Sequence, residues 1–194
     1  MQEKPYHHGD LRNCLIESGI SLIDAEGIDH LSLRRVAALC GVSQAAPYSH
    51  FANKEALLDA MRGYATEKFE QALIEAKQSI SDEDDPRLLV EMGKRYVLFF
   101  LENPQYFNFI FSQQWMTVDL DLENDSPTNF PPYLLLKKYA LKIFRKAGMP
   151  DERIEDMIIS MWASVHGLTS IAIMKNVHYS KNWGDKIEDI IKNI

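Results

Sequence analysis

Apolar residues recur at helical spacing along almost the whole chain, and no window shows the sustained alternation with β-branched residues that marks a strand. Gly27, Gly41, Pro86, Pro104, Pro131, Pro132, Pro150 and Gly184 fall at the breaks in that pattern. The chain is therefore expected to be all-α, with about nine helices separated by these residues. They are expected at 9–26, 32–40 and 53–80, and then near 86–102, 104–115, 132–147, 150–175 and 184–193. Residues 117–131, TVDLDLENDSPTNFP, form the one long loop, a kind of segment that is often mobile or functional. The acidic run SDEDDP at 81–86 reads as a solvated break. It divides residues 1–52, a small helical module, and 53–84, a connecting helix and boundary, from a larger helical domain at 85–194.

Several function classes drop out on composition. With 46% apolar residues in 194, the chain can build a packed core. No run approaches the roughly 18 to 20 consecutive apolar residues that span a bilayer, and MQEKPYHHGD lacks the apolar core of a signal peptide. A cytoplasmic protein with no membrane partner is expected. Cys14 and Cys40 lack the close spacing of a zinc or disulfide framework and read as core thiols. Asp119, Asp121, Glu123 and Asp125 alternate as calcium ligands do, but the turn glycine is replaced by Asn124 and the bidentate glutamate by Phe130. No metal and no cofactor is expected.

The net charge of −7 disfavours general attraction to a polyanion. Distribution matters more than the sum: from His30 to Lys54 there is no acidic residue, whereas Arg34, Arg35 and Lys54 are cationic. Within this window a short helix, Leu33, Val36, Ala37 and Cys40 inward, is followed by GVSQAAPYSHF. Two short helices joined at a glycine form a helix-turn-helix, whose second helix enters the DNA major groove. Gly41 can take the positive φ that ends the first helix, Val42 fills the angle, and the Ser43 hydroxyl is expected to cap the second. Small side chains bring a backbone close to base edges; Gln44 suits adenine, and the methyls of Ala45 and Ala46 suit thymine. Pro47 implies a short, distorted recognition helix. Tyr48, Ser49 and His50 can reach phosphate oxygens, as can Lys54 at the start of the long helix and Ser32 at the start of the bracing one.

LSLRRVAALCGVSQAAPYSHFANKEALL, residues 31–58, resembles the DNA-binding signature of TetR-family transcriptional regulators, and YHHGDLR at 6–12 is similar to the start of the first helix in many members. The resemblance implies phosphate contacts for Ser32, Tyr48, His50 and Lys54, a base or phosphate contact for Arg34, and base reading by Gln44, Ala45 and Ala46.

The larger domain carries eight aromatics in RYVLFFLENPQYFNFIFSQQW, 95–115, more than one packed helix face uses. Tyr96, Phe99, Phe107, Phe111 and Trp115 are candidates to line an apolar ligand cavity. On the helix at 150–175, Trp162 and His166 share a face at i, i+4, with Gly167 beside them allowing close approach of another helix. Both are further candidates, His166 as a hydrogen-bonding group. Trp-x-x-x-His-Gly resembles the motif naming the WHG class of TetR-family C-terminal domains, which implies effector binding and dimerisation. The apolar segment 154–174 and the tail 187–194 are the expected dimer surfaces, so that charges at Ile158 and Ile173 should give a monomer.

The reading is a homodimeric transcriptional repressor that binds a palindromic duplex and is released by a small apolar or aromatic effector. No Walker loop, dinucleotide-binding glycines, HExxH, CxxC or nucleophile elbow is present, and no enzyme activity is expected. The alternative is an all-α small-molecule-binding protein or enzyme with a vestigial helix-turn-helix.

Overall fold

The computed structural model describes residues 11–112, 115–124, 126 and 128–192. Every regular element among them is helical: α1 (Leu11–Glu26), α2 (Leu33–Leu39), α3 (Lys54–Gln78), α4 (Arg87–Glu102), α5 (Pro104–Ser112), α6 (Pro131–Lys146), α7 (Asp151–Ile173) and α8 (Trp183–Ile191), with short 3-10 turns at Ile28–His30 and Ala46–Ser49. The expected breaks fall within a few residues of the observed ones. The expected start of α1 at Gly9, the segment YHHGD at 6–10, Asp125 and the tail beyond Lys192 lie outside the described residues.

Local chemistry accounts for the short N-terminal helices. Ser32 is extended and its hydroxyl accepts from the Arg35 amide at 3.3 Å, capping α2; Asn53 does the same for α3 through the Ala56 amide at 2.8 Å. Gly41, at φ 68°, takes the left-handed conformation expected of it, and the Val42 amide turns back to the Ala37 carbonyl at 3.0 Å. Gly19 lets α1 lie on α3: a Cβ there would sit 2.9 Å from Met61 Sδ.

The long helix α3 packs against α1 on one side and against α4, α5 and α6 on the other. Its Phe69 is the hub of the larger half, with ring centroids of Phe100, Tyr96 and Phe99 at 4.6, 5.0 and 5.4 Å. α4 is the central strut of that half and touches α3, α5, α6, α7 and α8.

The acidic segment is the expected break, between α3 and α4, and it is held in place, because Glu83 pairs with Lys77 and Lys142 at 2.9 and 3.0 Å, and Asp84 with Lys142 and Lys146, binding the α3–α4 connection to α6. The long acidic loop is likewise tied down. The buried Lys137 donates to the carbonyls of Asp121 and Asn124 at 2.9 and 3.1 Å, and Asn129, also buried, accepts from the Asp119 amide and donates to the Asp119 carbonyl. Ile158 is fully buried, so a charge there would break the protomer's own core and cannot report on association. Gly167 is open to its surroundings: a Cβ added there would meet nothing within 4 Å, so no helix of the same protomer makes the close approach expected at this residue.

The ion pairs set a pH window. Glu83 is held down from its ordinary 4.5 to about 2, first by Lys77 and then by Lys142, and Glu188 to about 2 by Lys192 and Lys94. A depressed carboxyl contributes stability that is fully present above the unfolded-state value and is lost as the pH falls through the folded-state one. Thermal unfolding midpoints should therefore drop as pH falls from 4.5 toward 2. The double variant Glu83→Gln, Glu188→Gln should show a shallower drop; an unchanged profile would contradict the assignment.

Candidate functional site

After α2 the chain does not form a second α-helix. In an α-helix started at Ser43, the amide of residue 47 would bond the Ser43 carbonyl, but Pro47 has no N–H. The Ala46 amide takes that carbonyl instead, at 3.0 Å, and the chain tightens into the 3-10 turn Ala46–Ser49. Capping by the Ser43 hydroxyl is thereby corrected, since the carbonyl of Ser43 starts the turn and no side-chain cap is made. Pro47 is buried and pins the turn to the small module.

This geometry leaves Ser43, Gln44, Ala45, Tyr48, Ser49 and His50 exposed on one short segment, with Ala46 half-buried. Tyr48 keeps 57% of its surface exposed, and Leu39, at the end of α2, keeps 59%. The sequence gives no sign of Leu39 at this surface, because the helical period of α2 marks only its inward face. Arg34 is exposed beside them, whereas Arg35 is held by Glu26 at 2.6 Å. Ser32 uses an acceptor lone pair in its cap and retains its O–H for an outside acceptor. Ser49 already donates to the Ala46 carbonyl at 2.8 Å. One proton of Lys54 goes to the Ile28 carbonyl at 2.9 Å, leaving two. The first amides of α3 open beside it, the positive end of a 25-residue helix. His50 packs loosely on Phe51, centroids 6.2 Å apart, while Phe51 itself is core. Between the bracing elements, the buried Cys40 lies 3.3 Å from the Ser18 hydroxyl, and burial together with Cys14 pushes its thiol up to about 12. Both cysteines are free, and Cys40 is an unreactive core group.

The larger half holds a cavity of about 210 Å³ between α3, α4, α6, α7 and α8. Of the seven candidates, Tyr96 and Trp162 line it. His166 stands behind that wall: its Nδ1 is 3.0 Å from the Tyr96 hydroxyl, and burial lowers its pKa. Phe107 and Phe111 of α5 pack on the His166 ring at 4.9 and 4.6 Å, away from the cavity. Phe99 stacks between Phe69 and Tyr106, and Trp115 lies by Phe109 with the Arg62 guanidinium over its ring. Most of the wall comes instead from residues outside the aromatic run's candidates, among them Leu89, Met92, Tyr133, Met157 and Met161. Only the packing of α6 and α7 on α4 assembles them. Among the described residues no cluster of three or more His, Cys, Asp or Glu is arranged to hold a metal.

The two halves meet at Glu17 of α1. Its carboxylate accepts from Tyr64 of α3 at 2.5 Å and from Tyr106 of α5 at 2.6 Å, and Asn108 of α5 donates to Asp24 of α1 at 2.6 Å. Burial, then Glu17, pushes the Tyr106 phenol far up, so it remains a donor.

Residues 15–61 match the profile of the bacterial regulatory proteins of the tetR family. Over 49 residues the chain is 45% identical to the tetracycline repressor protein class A from transposon 1721 of Escherichia coli, a stretch that is 25% of this chain and 23% of that protein. The match thus spans about a quarter of the curated relative's length. Across nearly the whole chain the fold is similar to a protein with unknown function from Rhodococcus sp. RHA1, with a TM-score of 0.71, 22% identity and coverage of 98% of this chain and 94% of that one. It is also similar to a TetR family transcription regulator from Marinobacter aquaeolei VT8, with a TM-score of 0.65, 17% identity and coverage of 95% and 93%.

Proposed function

We propose that this chain, which carries a TetR-family N-terminal domain, is a homodimeric transcriptional repressor of the cytoplasm, without enzyme activity, released from a palindromic DNA operator by a small effector. The single observation that carries the reading is the exposed turn Ser43 to His50, lying inside the stretch that matches the family profile. Gln44, Ala45 and Ala46 read bases there. Ser32, Ser43, Tyr48, Ser49, His50 and Lys54 hold phosphates, with Arg34 on a base or a phosphate. Residues 1–52 form the reading head, 53–84 the connection, and 85–194 the effector and dimerisation domain.

Trp162, His166 and Gly167 support placing the larger domain in the WHG class. Tyr96 and Trp162 touch the effector and His166 orients the Tyr96 hydroxyl. Phe107 and Phe111 then carry a displacement of His166 into α5, whose Tyr106 and Asn108 hold α1 of the reading head. Phe99 and Trp115 contribute as packing around that route. Because the coupling is an equilibrium property, operator weakens effector binding by the same factor as effector weakens operator binding.

Dimerisation uses α7 and α8. By length and composition α7 is long and apolar enough to cross a membrane, yet it packs on α4, α6 and α8. Its outward face, with Ile159, Ile171 and Met174 exposed and open space at Gly167, suits a second copy of the same helix.

Two experiments test the proposal. Selection from a random duplex pool should enrich a palindrome whose binding falls steeply with salt, and Tyr48→Ala, an exposed position, should weaken it roughly tenfold, the worth of about one hydrogen bond. No enrichment at low salt would return the reading to an all-α small-molecule-binding protein. Sizing of Ile171→Glu, Met174→Lys should give a folded monomer where the unchanged chain gives a dimer; a dimer in both would remove α7 from the interface.

A further inference from the structure

We propose that the cavity takes an uncharged, largely apolar molecule of about nine to eleven heavy atoms with a single hydroxyl directed at Tyr96, an inference that rests on the effector reading above. Size sets the first limit. An apolar cavity of about 150 Å³ accommodates benzene, so about 210 Å³ admits a two-ring aromatic or a chain of about eight to ten carbons, and it falls short of what a drug-sized ligand fills.

The wall sets the second limit. None of its residues is an Asp, Glu, Lys, Arg or His, and its side-chain polar atoms belong to Tyr96, Tyr133 and Trp162 alone. The charged side chains that α4 and α8 carry nearby are consumed by one another, since Lys94 lies 2.9 Å from Glu188 and 3.7 Å from Glu91. A carboxylate or an ammonium entering this site would lose its water and meet no counter-charge, a cost that an apolar tail of this length does not recover. The carboxylates of Glu155, Asp119 and Asp121 lie near the Tyr133 phenol but outside the wall, where they repel an entering carboxylate.

The third limit is the number of polar groups the ligand can place. Tyr133 directs its hydroxyl at the Leu120 carbonyl, 3.4 Å away, and the Trp162 indole N–H is engaged with the Tyr96 phenol, which leaves that phenol, backed by His166, as the built hydrogen-bonding station. If His166 Nδ1 accepts from Tyr96, the phenol oxygen is left as an acceptor; with the other tautomer, the phenol is left as a donor. A hydroxyl satisfies either arrangement, because it both donates and accepts. Met92, Met157 and Met161 form part of the remaining wall and repack around flat or extended shapes, so the polar station and the volume decide selectivity.

Calorimetric titration of the full chain with 1-alkanols from hexanol to dodecanol, with alkanoates and alkylammonium ions of equal length, and with naphthalene and 1-naphthol tests this. Alcohol affinity should rise about fourfold per methylene up to about eight to ten carbons and then fall. Charged congeners should bind at least about a hundredfold more weakly. Tyr96→Phe should weaken the alcohols and 1-naphthol about tenfold and leave naphthalene within about twofold, whereas Met157→Phe and Leu89→Trp, each confirmed folded by circular dichroism, should shorten the preferred chain. Charged congeners binding as well as alcohols, a preferred length indifferent to both cavity variants, or no binding by any member would overturn the proposal while leaving operator binding untouched. Alcohols that bind as described without altering operator affinity would instead refute the effector reading and leave the chemical class standing.

Discussion

The carboxylate of Glu17 is where the small module is made to sit at one angle on the larger half. Two phenols reach it from different helices, Tyr64 at 2.5 Å and Tyr106 at 2.6 Å, and hydrogen bonds to a carboxylate are about twice as strong as neutral ones. Apolar packing alone is weakly directional. A shared acceptor between α1, α3 and α5 adds direction, and the Asn108 to Asp24 bond provides a second point that resists rotation about the first. α2 packs on α1, and the turn Ala46–Ser49 packs on α2.

Behind the joint, α5 has two jobs on two faces. Tyr106 and Asn108 point to α1, whereas Phe107 and Phe111 pack on His166, itself bonded to a phenol of the cavity wall. Close-packed aromatic clusters do not deform smoothly, so under the proposed function a shift of His166 would be passed on as a change of packing state. The route from the cavity wall to α1 is a chain of direct contacts.

Much of the fold was legible because helices leave local signatures: the period, the Gly41 stop and the prolines all act within a few residues. The exposed segment after Gly41 was located for the same reason, although Pro47 does more than shorten a helix there, since its missing N–H removes the α-helical bond altogether. The cavity was legible only in part, through Tyr96 and Trp162. Its wall joins Leu89, Met92, Tyr133, Met157 and Met161 from three helices, and nothing local to any of them distinguishes a cavity wall from a core. The joint was hidden for a related reason, because Glu17 lies 47 residues from Tyr64 and 89 from Tyr106 in sequence. Ile158 and Gly167 show the limit of an apolar run as a guide to a surface: along one helix, neighbouring positions face the core and the open side.

The central claim is that cavity and reading surface are one coupled device joined at Glu17. Its most direct test is calorimetric titration of the selected operator into the unchanged chain and into Glu17→Gln, each with the cavity empty and with the tightest-binding alcohol at saturation. The account predicts that the alcohol weakens operator binding in the unchanged chain by about 1 to 3 kcal/mol, the usual range for coupled sites, and by much less in the variant. Equal operator affinity with and without alcohol in the unchanged chain, or a coupling that survives intact in Glu17→Gln, would contradict it.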